Sequence, residues 1–492
     1  MFWYINDVSI VTIVLIGILT ILVINAAMRV LYDSNNSTQT LWYLLLLFAF
    51  PLIGVIFYYT LWVNHRKRLM YTKKIVQANS TQKEIELQIL EKSNKVFEEN
   101  ENQLFSYKKT IQLSLHEIHA ALTNNNNVTI LENWEETFPS IKEALLKAQF
   151  HIHIMYYTVK DDTLWKEILW ILLIKAKEWV KIRFIYDNIG TNFKDDSIIQ
   201  ELKDAGAEIH AFQKMNIFSF ATKLNFRNHR KIIIIDGSIG FTGGLNVSND
   251  YINNPKYPSS CYWRDLHLKI EWWAVHHLQY IFLSDWNYCA EQKLEVLDQY
   301  FKISEEKKYG NTIIQMAQSG PDSKTPTILH VFLSLISSAK ESIYITTPYF
   351  IPNQELLTAL IIAAHSWVQV KIVVPEKSDS KFVDRAGQSY YNELLTAGVE
   401  IYQYTKWIIH SKTMVIDQKV SLLWTANLDI RSFDLNFENI VTMYDENVSQ
   451  EMTDIFHKDI HDSHKIDKKD WGNQSHWHIF SQKIARLFSA VL

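Results

Sequence analysis

The chain has 492 residues, 48% of them hydrophobic, and carries 49 Lys+Arg against 53 Asp+Glu, a formal net charge of −4. That length permits two core-bearing halves plus further segments, and the charge gives no global attraction for an anionic partner. Two cysteines, Cys261 and Cys289, are too few for a disulfide framework or a zinc site and suit a reducing compartment.

At the amino end, Val8–Met28 is almost wholly apolar, and about 20 residues suffice to cross a bilayer. Thr40–Val63 is a second such stretch, with Pro51 and Gly54 tolerated inside it. The connection between them is short, which predicts a transmembrane helical hairpin over residues 1–63. The run "NHRKRLMYTKK" follows the second stretch, and no Lys or Arg precedes the first. This bias predicts a multi-pass protein of the cell membrane with both its amino terminus and its catalytic part in the cytoplasm. A cleaved signal peptide is the rival for the first stretch, but the positive n-region is missing. Residues 64–130 are rich in Lys, Glu, Gln and Asn and contain "NNNN". Loosely helical apolar spacing there predicts a polar helical connector, read as a solvated spacer.

Beyond the connector the chain repeats itself. "AKEWVKIRFIYD" (176–187) returns as "AHSWVQVKIVVP" (364–375), and "LKDAGAEIHAF" (202–212) as "LLTAGVEIYQY" (394–404). Helical stretches leading into β-branched strands, more than once per copy, mark an α/β domain. Two related α/β halves are expected, 131–320 and 321–460, followed by a tail, 461–492. In that tail Ile479, Phe480, Ile484, Leu487, Phe488 and Val491 fall largely on one helical face. Core packing is the expected use of that face, with an interfacial membrane helix as the alternative.

The strongest repetition carries chemistry. "NHRKIIIIDGSIGFTGGLN" (228–246) and "HSKTMVIDQKVSLLWTAN" (410–427) place His229, Lys231, Asp236 and Asn246 each 181 positions before His410, Lys412, Asp417 and Asn427. On a strand, residues two apart share a face, so each His sits beside its Lys. If the halves pack about a pseudo-twofold axis, two histidines and two lysines meet in one cleft. Lysines and asparagines can bind phosphate oxygens. One histidine can attack phosphorus while the other protonates the leaving oxygen. The plain alternative is a polar strand start copied along with its domain, and two matched tetrads weigh against it. Lys223, Arg227 and Arg230 beside the first motif fit local anion attraction and an ordinary solvated loop equally well.

With these motifs the chain resembles the phospholipase D superfamily. "YWRDLHLKIE" (262–271), "SGPD" (319–322), "TPYFIP" (347–352), "TANLDIRSFDLNFE" (425–438) and "RLFSAVL" (486–492) are similar to its bacterial cardiolipin synthases over almost the whole chain. The resemblance implies transfer of a phosphatidyl group between two molecules of phosphatidylglycerol, an anionic phospholipid, giving cardiolipin and glycerol. It implies a phosphatidyl-histidine intermediate with no metal and no cofactor. His229, Lys231, Asp236, His410, Lys412 and Asp417 would be catalytic, Asn246 and Asn427 substrate-binding, and Asp265 and Glu438 the acids that orient the imidazoles. His229 is expected as nucleophile and His410 as acid/base, although the repeat leaves the reverse open. No nucleic-acid-binding motif is present. A related phosphodiesterase and an inactive membrane scaffold are the alternative functions.

Glycine is scarce: 13 residues, where usage near ~7% would give roughly 34. Tryptophan, at 16, outnumbers it. Trp179 and Trp367 share one repeat position between a helix and a strand, where a left-handed C′ glycine is expected. Trp424 aligns with Gly243, in the turn before the site asparagine. The resembling family has glycine where this chain has Trp62, Trp134, Trp272 and Trp407, whereas Trp263 and Trp286 match family tryptophans. These positions read as glycines recoded as tryptophan, or as genuine tryptophans that pack on the membrane or in the core.

Overall fold

The computed structural model describes residues 10–33, 37–61, 81–191, 193, 197–212, 226–253, 262–290, 294, 300–301, 310–323, 325–429, 432–433, 435–487 and 489. The Lys/Arg-rich run 64–74, Trp62, Lys223, Cys261, Phe488 and Val491 lie outside these residues. The chain forms two compact units, one of residues 1–77 with 215–226, the other of 78–214 with 227–492.

In the first unit, Ile10–Asp33 is a single apolar helix, and its stretch Val11–Tyr32 is long enough to cross a bilayer. The second apolar stretch departs from expectation. It divides at Phe50 into helices Ser37–Ala49 and Pro51–Leu61. Their described residues number 13 and 11. The two helices fold back on each other. A Cβ added to Gly54 would stand 2.6 Å from the Leu47 Cα, an approach that a continuous helix does not allow between residues seven apart. Val55 and Tyr58 share one cluster with Val23, Ala26, Ala27, Val30 and Leu47, while Val11–Ile18 is exposed throughout. The bent pair therefore covers only the carboxyl half of the long helix. Pro51, which cannot continue an i→i−4 ladder, sits at the break.

The second unit is built on one long sheet. Its main strands are β1 (Leu122–Glu132), β2 (His151–Tyr156), β3 (Lys181–Asp187), β4 (Glu208–Phe212), β5 (Ile232–Ile235), β6 (Ile239–Gly243), β7 (Leu266–Glu271), β8 (Thr312–Ser319), β9 (Ser342–Thr346), β10 (Gln369–Pro375), β11 (Glu400–Tyr404), β12 (Thr413–Ile416), β13 (Val420–Trp424) and β14 (Asn436–Tyr444). On one side the spatial order is β1-β7-β6-β5-β2-β3-β4, and on the other β8-β14-β13-β12-β9-β10-β11. The second order is the first with every number raised by seven. Antiparallel pairing of β1 with β8 joins the two sides.

The runs "IIII" of β5 and "TMVI" of β12 are buried at every residue, the pattern of strands covered on both faces. Helix Thr163–Lys177 starts on the cap Asp162 and helix Gln354–His365 on Asn353, each side chain accepting a backbone N–H of the first turn. They cover the sheet on its two sides and pack in separate apolar cores around Phe184 and Ile345.

Residues 122–130, expected in the connector, lie in the strand at the middle of the sheet, and β8, expected at the end of the first half, pairs with β14 on the second side. Four asparagines in a row are poor strand formers, but here a bulge absorbs them, with Asn125 left-handed. Asn126 Nδ2 donates to the Thr312 carbonyl at 3.0 Å, its Oδ1 accepts from the Ala274 N–H at 2.8 Å, and Asn127 donates to Glu271. Nor is the helical part of the connector a solvated spacer: Leu104, Tyr107, Ile111 and Leu115 belong to the core of the second side.

Candidate active site

Each motif histidine lies just outside a buried strand, and each is fixed by the other half of the sheet. Residues Arg227–Asn228 pair in parallel with the start of β14, and the His229 N–H donates to the Phe437 carbonyl at 3.0 Å. Residues Ile408–Ile409 pair in parallel with Trp263–Arg264, and the His410 N–H donates to the Arg264 carbonyl at 2.7 Å. The two short ladders thus cross between the halves in opposite senses.

The orienting acids cross in the same way. His229 Nδ1 lies 3.0 Å from a carboxylate oxygen of Glu438 and 2.9 Å from the Thr425 carbonyl. His410 Nδ1 lies 2.7 Å from Asp265 Oδ2. Carboxylates and carbonyls only accept, so both Nδ1 atoms carry the proton and each Nε2 has a lone pair, that of His410 facing Lys412 Nζ at 3.2 Å. Glu438 and Asp265 are fully buried. Glu438 is held in turn by the Thr425 hydroxyl at 2.5 Å and by Asn436 Nδ2 at 3.2 Å.

The lysines are as deeply placed. Lys231 Nζ donates to the His229 carbonyl and Lys412 Nζ to the His410 carbonyl, both at 2.7 Å. Burial pushes Lys231 down to about 7, with Glu438 opposing and Lys412 adding to the depression. Burial likewise takes Lys412 down to about 8. His410 is lowered to about 4, first by burial and then by Lys412, against the pull of Asp265. His229 is lowered by burial with Glu438 opposing. Burial disfavours the charged form of all four groups, and the buried carboxylates of Glu438 and Asp265 oppose it; an anionic phosphodiester between the lysines would favour their charged forms further.

The motif aspartates stand elsewhere. Asp236 follows β5 at the end away from His229, a separation of roughly 20 Å along an extended chain. Its carboxylate accepts the backbone N–H groups of Gln149, Phe150 and His151 at 2.7–2.9 Å. Asp417 does the same for Lys340, Glu341 and Ser342. The expectation that both are catalytic is corrected: each pins the turn that starts β2 or β9.

Asn246 is buried beside the site, donating to the Tyr251 hydroxyl at 2.7 Å. Asn427 keeps a buried amide oxygen with no protein partner. Arg230 is buried against Asp285 at 2.6 Å and is structural rather than part of a solvated loop. Three aromatics were not picked out as site residues. Tyr157 meets the His229 ring edge-on at 4.8 Å with Lys231 5.5 Å from its centre, and Trp263 and Tyr251 flank His410 at 5.3 and 6.0 Å. Trp263 lies inside the family-like stretch 262–271, so a signal was present there but carried no chemistry of its own.

The family described as "Cardiolipin synthase, PLD-like domain" matches at residues 141–256 and 332–460, one match around each motif. A cardiolipin synthase of Alkalihalophilus pseudofirmus is 35% identical over 492 residues, covering 100% of this chain and 95% of its own. The chain belongs to the cardiolipin synthase family of the phospholipase D superfamily. The major cardiolipin synthase ClsA of Bacillus subtilis is 34% identical, covering 97% of this chain and 99% of its own. Among solved structures, the phosphatidylserine synthase of Haemophilus influenzae aligns with a TM-score of 0.57 at 14% identity, over 78% of this chain and 98% of that one. That likeness is one of fold. As a member of this family the chain is a phosphatidyltransferase with cardiolipin synthase activity, acting on phospholipid, and its apolar helix Ile10–Asp33 is consistent with membrane association.

Proposed function

We propose that the two halves are pseudo-symmetric and share a single site, in which two phosphatidylglycerol molecules react in turn to give cardiolipin and glycerol. The observation that carries this reading is the crossed pair of acids, each half orienting the other's histidine. His229 Nε2 attacks phosphorus of the first lipid. The bond from phosphorus to the glycerol oxygen breaks, and His410 gives that oxygen its proton. A hydroxyl of the second phosphatidylglycerol then attacks the phosphatidyl-histidine, returning its proton to His410 as the phosphorus–nitrogen bond breaks. Lys231, Lys412, Asn246 and Asn427 hold the phosphoryl oxygens. Between the lysines, the diester's negative charge offsets the cations that hold His410 down and readies it to donate. Placing His229 as nucleophile rests on motif order in the resemblance.

For the membrane, the bent second limb supports one span and a re-entrant pair rather than two spans. The Lys/Arg run that follows keeps the catalytic part on the cytoplasmic side. The amino terminus then lies on the opposite face, which replaces the expectation that both are cytoplasmic. Incubating the reconstituted chain with labelled phosphatidylglycerol tests the function: cardiolipin plus glycerol is expected, in excess chelator as without it. Phosphatidic acid as sole product would replace the transferase reading with a hydrolase, and no turnover would support a scaffold.

A further inference from the structure

Helix His476–Leu487 turns the wrong face outward for core packing. Trp477, Phe480, Ile484 and Leu487 are 77, 53, 40 and 66% exposed and recur at helical spacing. Gln482 and Ala485 are the buried positions. The packed side meets helix Lys381–Ala397, where Arg486 binds Glu393 at 2.6 Å and lies 4.1 Å over the Tyr390 ring, and Arg385 bonds to His478. Within 476–487 the charged residues are Lys483 and Arg486, with no acid. One turn before Arg385, Phe382 is also exposed, beside the end of the helix that carries Trp477. Three residues earlier, Asp379 accepts from the Tyr349 hydroxyl at 2.6 Å.

We propose that this face is a second membrane contact, in which helix 476–487 lies in the surface of an anionic phospholipid bilayer. An exposed aromatic and aliphatic face with Lys483 on its helix and no acid within that helix fits a bilayer better than a protein partner. The proposal rests on lipid being the substrate, but its test does not depend on turnover. In the full chain with Cys261→Ser and Cys289→Ser, an environment-sensitive fluorophore is attached at Ile484→Cys and the protein is placed in phosphatidylglycerol vesicles. Brominated lipids are expected to quench the label and iodide to leave it largely untouched. Quenching by iodide, or by neither, overturns the proposal. In addition, Phe480→Asp/Ile484→Asp, both at exposed positions, is expected to raise KM for vesicle lipid about tenfold with kcat little changed, as for a lost ground-state contact. An unchanged KM in the folded variant also counts against it.

Trp179, Trp272, Trp367 and Trp407 have φ of 66°, 94°, 67° and 111°. The other described non-glycine residues at positive φ are His119, Asn125, Asn133, Asp236, Asp417 and Gln418. These are polar, and Asn, Asp and His are the types most often found there. Helix ends make the case sharpest. The N–H groups of Trp179 and Val180 bond back to the carbonyls of Ala176 and Lys175, and those of Trp367 and Val368 to Ala364 and Ala363. Gly206 with Ala207 and Gly398 with Val399 close two other helices by the same pair of bonds, at φ of 96°. Four helix ends share one motif whose C′ residue favours glycine, and two of the four carry tryptophan. Those two indoles are 89 and 95% exposed, so packing does not compensate the backbone.

We infer that Trp179, Trp272, Trp367 and Trp407 are glycines in the protein as its source makes it, from a codon, UGA, read there as glycine. Trp134 and Trp424 have ordinary φ and lack this signature. Trp424 is the last residue of β13 rather than part of a turn, with its ring 4.8 Å from Phe332. The gene should carry UGA at 179, 272, 367 and 407 and UGG at 263 and 286, and peptide mass spectrometry of the source protein should read glycine at the four. UGG codons or tryptophan peptides there end the idea. Independently, Trp179→Gly/Trp367→Gly should raise Tm by several degrees, and an equal or lower Tm contradicts the backbone argument.

Discussion

The two halves have one strand order and one motif, yet their histidines are not held alike. His410 has a single short partner, Asp265 at 2.7 Å, with Lys412 Nζ 3.2 Å from both ring nitrogens. His229 shares its Nδ1 proton between Glu438 and the Thr425 carbonyl. Lys231 and Lys412 are lowered to about 7 and about 8. The parts match in the two halves, and their surroundings differ, which fits the unequal roles proposed for the two histidines. The crossing of the acids matters more than the inequality. Each motif histidine is oriented by an acid of the other half, so the proposed mechanism needs β14 and β7 registered across the β1–β8 junction.

The largest effects should come from the reacting groups themselves. His229→Ala, His410→Ala, Lys231→Met and Lys412→Met should each lower kcat by roughly 10⁴ or more while circular dichroism stays native, since these groups act as a unit. Next come the acids. Asp265→Asn leaves His410 with the wrong tautomer, for which a loss on the order of 10⁴ is the precedent in a serine protease triad. Glu438→Gln should cost about tenfold less, because the Thr425 carbonyl still holds the Nδ1 proton. Equal losses in initial-rate assays would erase the distinction between the halves.

The crossed arrangement is also where the sequence was least legible. The 181-residue spacing exposed both His–Lys pairs from sequence alone, because period-two alternation puts them on one face. Asp265 and Glu438 carry no spacing signal relative to the histidines they serve; they came from the family resemblance, and the crossing is a property of tertiary packing. Asp236 and Asp417 misled in the opposite direction. They recur as faithfully as the histidines, and only the length of β5 and β12 reveals that they face away. Asn124–Asn127 looked like a loop because a bulge and cross-sheet bonds, invisible to periodicity, satisfy their amides. The face of helix 476–487 was legible, but its direction was not: amphipathicity does not say whether the apolar side meets protein or lipid.

Moderate effects follow from titration. Each lysine is charged below its lowered pKa and loses its proton as pH rises through it. kcat/KM for phosphatidylglycerol should therefore fall on the alkaline side from pH about 7 to 8. A plateau extending to pH 10 would contradict buried, depressed lysines. The smallest catalytic effects belong to the aspartates that pin turns. Asp236→Asn and Asp417→Asn should each lower stability by about 1–3 kcal/mol and leave kcat of the folded fraction within a few-fold. A collapse of kcat with unchanged Tm would return them to the catalytic set.

The most direct test of the shared site is to trap its intermediate. Labelled phosphatidylglycerol is mixed with the His410→Ala chain, quenched at intervals, and the peptides mapped by mass spectrometry. A phosphatidyl group on His229 that forms and decays slowly is the expected result. The same label on His410 of the His229→Ala chain, with none on His229, would reverse the two roles. Turnover by the unmodified chain with neither histidine ever labelled would contradict the account.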